Sequence, residues 1–433
     1  MMTANLSTTM HLIPATAVFL VLLLVGAQGQ ASSPDADRDG TADWIEFLLG
    51  RDHQQPDPSG PLHIVPTEEG FIVHYTRNTL AERRGLGHVT LEGTTTLIDD
   101  WQTIVADAIE HVDIAESTIK SQFLWKTGSL PRFFRLRFTA TEWLQPERGL
   151  PSFAQAGFAT LNGGCHGGAK GETARPETLE QFQRYCEEPT PRTIIIAQPL
   201  DGGPEGLQIN VGPNKSLIGL GEQGVLRRIG LNLGSGTHNV ILSNLSFNLF
   251  GITNTREEEE TGNPRIAIND GDAVRLFSME EPVSNVWIDH CEFQSEPPQE
   301  QPNGELYDGL VDITFRCQFI TLSWCVFHDH NKVNLVGGTS TDTFDRKITY
   351  HHNVFRNVAQ RTPSYRGGVG HLFNNYFESI LSSGIHVRAG GALLIERNHF
   401  VQCHNPLRNE PRAGGRLIDN RFERCTGTTS IPS

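Results

Sequence analysis

The sequence predicts an all-β protein, most of it a parallel β-helix, with a small β-sandwich-like module in front. Three observations lead there. First, the C-terminal half repeats: Asn-x-Phe triplets end at Phe355, Phe377, Phe400 and Phe422, in steps of 22, 23 and 22 residues. Second, the repeats are rich in Gly, Asn and short β-type runs, which is how a solenoid of stacked coils reads. Third, neither a 3.6-residue apolar period nor a recurrent Leu pattern is present, so helical and leucine-rich repeats are excluded.

In chain order, residues 1–30 read as a signal peptide. The apolar run AVFLVLLLVGAQGQAS from Ala17 is short for a membrane span and ends in small residues. No Lys or Arg precedes it, so its positive end is the terminal amine alone. A secreted protein is expected, with no membrane association after cleavage.

Residues 31–60 hold a calcium loop and a linker. In DADRDGTADWIE, Asp35, Asp37, Asp39, Thr41 and Glu46 occupy positions 1, 3, 5, 7 and 12 of an EF-hand-like loop. Gly40 stands at the sharp turn, and Asp43 at position 9. A single loop suits a structural ion rather than a switch.

Residues 61–145 contain GFIVHY, HVTLEG and PRFFRLRF, β-rich runs between Pro-rich linkers. They read as the small β module, with no evident chemistry.

Residues 150–433 form the repeat. Earlier Phe residues extend it: Phe327, Phe293 and Phe247. The 46-residue gap between Phe247 and Phe293 reads as two periods, and the next two gaps as one period plus an insert. Stacked coils lie about 4.8 Å apart. Asn353, Asn375, Asn398 and Asn420 should therefore form an amide ladder, with the Phe rings stacked inside. Cys291 and Cys325 take the Asn position in earlier coils. Cys403 and Cys425, each three residues after a Phe, should be neighbours at a separation a disulfide accepts. The chain has seven cysteines, an odd number, and no Cys-x-x-Cys pair that would suggest zinc.

The formal charge of −15 argues against nucleic acid as a partner. A solenoid face nevertheless offers a long groove for an extended polymer. Three clusters stand out on it: YDGLVDI with Asp308 and Asp312, HDHNKVN with Lys332, and QRTPSYRGG with Arg361 and Arg366.

These clusters, with NVWIDHCEF, ITYHHNVF and GFATLNGGCHGGAKG, make the chain from about Gly157 to Phe400 resemble the pectate lyases of polysaccharide lyase family 1. The resemblance implies a right-handed parallel β-helix that cleaves polygalacturonate by β-elimination with calcium; a monomer is expected. It implies Asp308 and Asp312 as calcium ligands, with Glu296, just after the W-x-D-H motif, as a third. It implies Lys332 and Arg366 as substrate-binding residues and Arg361 as the catalytic base, with an alkaline optimum. Family members often carry R-x-P-R-x-R, where this chain has Ser364 in the middle. Gly338 replaces a usual His.

The residue types make chemical sense independently. Elimination removes a proton beside a uronate carboxylate, so charge builds on an anion, and preorganised cations oppose that penalty. A shared calcium also lets an acidic protein hold an acidic polymer. His290, His330, His351 and His352 are expected to be structural. Two alternatives are an inactive β-helix that binds uronate polymers and a β-helix lyase for another pectic polysaccharide. Intact Lys332, Arg361 and Arg366 disfavour the first.

Overall fold

The computed structural model describes residues 154–259, 261–301 and 303–432. It also describes the strands Leu20–Val21, His63–Thr67, Gly70–Asn78, Gly87–Thr94, Gln102–Thr103, Ile114–Ala115, Thr118–Lys126 and Phe133–Ala140. Apart from Leu20–Val21, the expected signal segment lies outside the described residues. So do the calcium-loop residues Asp35, Asp37, Asp39, Thr41 and Glu46.

The chain divides into two units, Met1–Phe153 and Ala154–Ser433. The first contains two four-stranded sheets. In one, Gly70–Asn78 pairs antiparallel with His63–Thr67 and Thr118–Lys126. In the other, Gly87–Thr94 pairs antiparallel with Phe133–Ala140.

The second unit is a parallel β-helix with three faces. Its 16-stranded sheet wraps two of them, because Val274–Asp289 and Val311–Ser323 are long enough to turn a corner. The third is a nine-stranded sheet. Helix Leu179–Glu187 is N-capped by Thr178 and buries Phe182 and Cys186 in the core, covering apolar side chains of the first coils.

The predicted interior ladder is present. Phe247, Phe293, Phe327, Phe355, Phe377, Phe400 and Phe422 stack with ring centroids 4.4–5.1 Å apart. One spacing differs from the expectation. Phe247 pairs directly with Phe293, so the 46-residue gap is one coil with an insert, not two coils. The insert carries the hairpin of Thr255–Glu257 with Pro264–Ile266 and the turn Ile268–Gly271.

The asparagine ladder also forms. The side-chain amide of each of Asn353, Asn375 and Asn398 donates to Oδ1 of the next coil's Asn at 2.9–3.0 Å. The residue before each rung is left-handed: His290, Trp324, His352, Asn374, Arg397 and Asp419 have φ of 50–54°. Local partners offset that strain: Trp324 stacks on His352 at 4.3 Å and on His290 at 5.7 Å. These histidines thus have a packing role. All seven cysteines are free thiols, including Cys403 and Cys425 at matching positions of consecutive coils.

Candidate active site

Coil-to-coil register builds the acidic half of the site. Val274 pairs with Val311 and Arg275 with Asp312. Asp272 therefore lies one coil away from Gly309, whose N–H donates to Asp272 Oδ1 at 2.8 Å. Asp308 and Asp312 flank that glycine. Each of Asp272, Asp308 and Asp312 offers an oxygen within 4.8 Å of the others'. Glycine is required at 309 by close approach: a Cβ there would lie 2.2 Å from Asp312 Oδ1 and 3.0 Å from Asp272 Oδ1.

Three converging carboxylates repel, and two of these are buried. Burial first, then the charge of Asp308, pushes Asp312 up to about 7. Burial, then Asp312 and Asp308, holds Asp272 well above the usual carboxylate range. The charge of Arg361 and a hydrogen bond from the Leu335 N–H at 2.8 Å favour the ionised form of Asp312.

Cations close the other side. Asp308 is approached by Lys332 Nζ at 3.3 Å, Arg265 Nη1 at 3.3 Å and Arg361 Nη1 at 3.7 Å. Lys332 also pairs with Glu305. Arg361 sits between the strands Val354–Gln360 and Ser364–Arg366 with φ 63°, and its carbonyl accepts from Asn334 N–H at 2.8 Å. Its Nη1 is buried without a hydrogen-bond partner. Arg366 donates through Nη1 to the Gly337 carbonyl at 2.7 Å. Burial, then Arg388 and Arg361, lowers its pKa to about 10. His386, which pairs with Ser364 one coil back, is brought down to about 4 by burial, then Arg388 and Arg408. The cationic field therefore runs beyond Arg366 onto later coils.

His330 supports the acidic turn. It is fully buried, its Nε2 donates to the Asp308 carbonyl at 3.1 Å, and burial lowers it to about 4, so the ring is neutral.

The structure thus brings together Asp308, Asp312, Lys332 and Arg361, and Arg366 lies near enough to Arg361 for the two charges to interact. Glu296 is not part of the acidic cluster. It follows the strand Glu292–Gln294 on the nine-stranded face, where burial and Glu300 raise its pKa, and Asp272 stands in the cluster instead. Sequence reasoning missed Asp272, Glu305 and Arg265. For Asp272 a signal existed: INDGDAVRL and YDGLVDITF both set an Asp-Gly turn before paired strands.

A family model described as Pectate lyase matches residues 136–412. The chain belongs to the pectate lyase family. Among named relatives, a pectate trisaccharide-lyase from Bacillus licheniformis is 33% identical over 264 residues, covering 60% of this chain and 71% of the relative. A probable pectate lyase A from Neosartorya fischeri is 34% identical over 288 residues, 66% and 81% of the two chains. Among solved structures, the pectate lyase Bsp165PelA of Bacillus sp. N165, in complex with trigalacturonate, superposes with a TM-score of 0.53 at 30% identity. That match covers 65% of this chain and 89% of the other. Membership makes this chain a polysaccharide lyase, and the site just described lies within the matched residues.

Proposed function

We propose that the chain is a calcium-dependent lyase that cleaves α-1,4-linked polygalacturonate by β-elimination, with Asp272, Asp308 and Asp312 holding the ion. The observation that carries this reading is the convergence of those three carboxylates beside Lys332 and Arg361. The residues fit calcium: the donors are all hard oxygens, and Gly309 leaves the space between two of them clear. Two of them are also held protonation-prone by burial and then by mutual repulsion, which a divalent cation opposes.

Bound there, calcium would neutralise the uronate carboxylate and oppose the charge that develops beside it. Lys332 adds a second cation at the same carboxylate, and Arg366 holds a neighbouring uronate. Arg361 takes the proton from the carbon next to the carboxylate. The electrons of that C–H bond form the new double bond, and the glycosidic oxygen leaves and takes up a proton. A guanidinium keeps its proton up to a pKa above about 12, so the neutral form that can accept the proton is scarce near neutrality and turnover should rise into alkaline pH. The bound trigalacturonate of the Bacillus relative supports the substrate class. The apolar segment from Ala17 and the acidic loop Asp35–Glu46 support export with a second, structural calcium.

The test is incubation with polygalacturonate in calcium and then in chelator, following ultraviolet absorbance of the unsaturated product. Calcium-dependent absorbance is expected. Depolymerisation without absorbance, or binding without cleavage, would overturn the reading.

A further inference from the structure

Behind the cationic half of the site lies a buried ion pair. Arg346 is fully buried and Asp342 nearly so. The Arg346 guanidinium donates through Nη2 to Asp342 Oδ1 at 2.5 Å and to the Phe315 carbonyl at 2.9 Å. Through Nη1 it donates to the backbone carbonyl of Arg366. Asp342 Oδ2 in turn accepts the N–H groups of Phe315 and Gly338, both at 2.8 Å. Gly338 follows Gly337, whose carbonyl receives the Arg366 side chain. A side chain at 338 would strike the Phe315 ring, its Cβ only 2.7 Å away. Three consecutive coils, at Phe315, Gly338 and Arg366, are thus tied to one pair. The Arg346 carbonyl also accepts the Val369 N–H at 2.9 Å, which fixes the turn just past Arg366.

We infer that Arg346 and Asp342 are positioning residues for Arg366, fixing its main chain directly and its guanidinium through the 337–338 turn. The inference rests on Arg366 being a uronate-binding residue, as proposed above. An isolated guanidinium on a surface strand would sample many rotamers and lose entropy on binding. Here the backbone at Arg366 and the acceptor of its side chain share one buried anchor. A buried pair is weak evidence for added stability, whereas a pair that locks a binding cation has a reason in function.

The test is a double-mutant cycle on polygalacturonate with Arg346→Lys and Arg366→Ala, reading KM, kcat and thermal midpoint. Lys keeps the charge but not the fork that spans Asp342, Phe315 and Arg366. Arg346→Lys should raise KM about tenfold alone. It should raise KM little further when Arg366 is already Ala, because the two act as one unit. Equal effects in both backgrounds would overturn the inference. Breaking one partner of a buried pair can unfold a protein, so a second variant carries Arg346→Met with Asp342→Leu, a swap that buried pairs often tolerate. A folded double variant with raised KM supports positioning, and one with wild-type KM overturns it. Should the wild type cleave nothing, the proposed function fails on its own. The same cycle is then read from trigalacturonate affinity by calorimetry, where coupling between Arg346 and Arg366 supports the inference and additivity overturns it.

Discussion

Asp272 and Asp312 stand forty residues apart in sequence, yet both are buried and bring carboxylate oxygens within 4.8 Å of each other around Gly309. Such an arrangement costs stability unless a cation fills it. Asp312→Asn keeps the shape and the acceptor for Leu335 N–H but removes one charge. In chelator at pH 8 the variant should be more stable than wild type, by on the order of 3 kcal/mol. In calcium the order should reverse, since only the wild type gains binding free energy. Thermal melts with and without calcium decide it. A variant less stable in chelator would contradict the repulsion.

The pH dependence follows from the same group. The folded pKa of Asp312 is raised to about 7, against about 3.9 unfolded. Between those values the native state keeps a proton that the unfolded chain has lost. The contribution of Asp312 to stability is therefore full below about pH 4 and is lost as pH rises to about 7. His330 and His386, lowered to about 4, and His351, lowered to about 3, act oppositely, gaining stability as pH rises toward about 6.5. The stability difference between Asp312→Asn and wild type isolates the carboxylate. It should widen from about pH 4 to 7 and then level. Calcium affinity should climb over the same range, by up to about tenfold per unit for each proton displaced. Calorimetric titration across pH checks this.

Gly309→Ala should abolish calcium binding at this site while leaving the helix folded. The added Cβ lands on Asp312 Oδ1, so the carboxylate must rotate away. Circular dichroism would show an unchanged β spectrum, and turnover should fall at least about a hundredfold.

Asn375→Leu tests the ladder. Asn375 Oδ1 accepts from both the backbone and the side-chain amide of Asn353, and its own amide donates to Asn398 Oδ1 and the Tyr350 carbonyl, all at 2.9–3.0 Å. Leu strands buried partners on two coils, and the expected loss is at least about 2 kcal/mol, read as a lower thermal midpoint.

Much of this architecture was legible in sequence because a coil of constant length repeats its marks. The Phe and Asn positions of the last four coils stand 22 or 23 residues apart, and stacking follows from that spacing. Legibility failed where an insert intervened. The residues between Phe250 and Ala273 made one coil as long as two, and so hid that Asp272 lies beside Gly309. Glu296 stands near a motif along the chain, whereas the cluster is set by strand register across coils. Glu305 and Arg265 come from inserts with no period, so nothing local marks them. Arg361 and Arg366 were visible as a pair, but not their division: one faces Asp308, and the other is fastened to Gly337.

The most direct test of the account is cleavage of trigalacturonate in heavy-oxygen water, with products weighed by mass spectrometry. Elimination predicts products whose masses sum to that of the substrate, one with an unsaturated end, and no label in either. A labelled reducing end, with the mass of one water added, would contradict it.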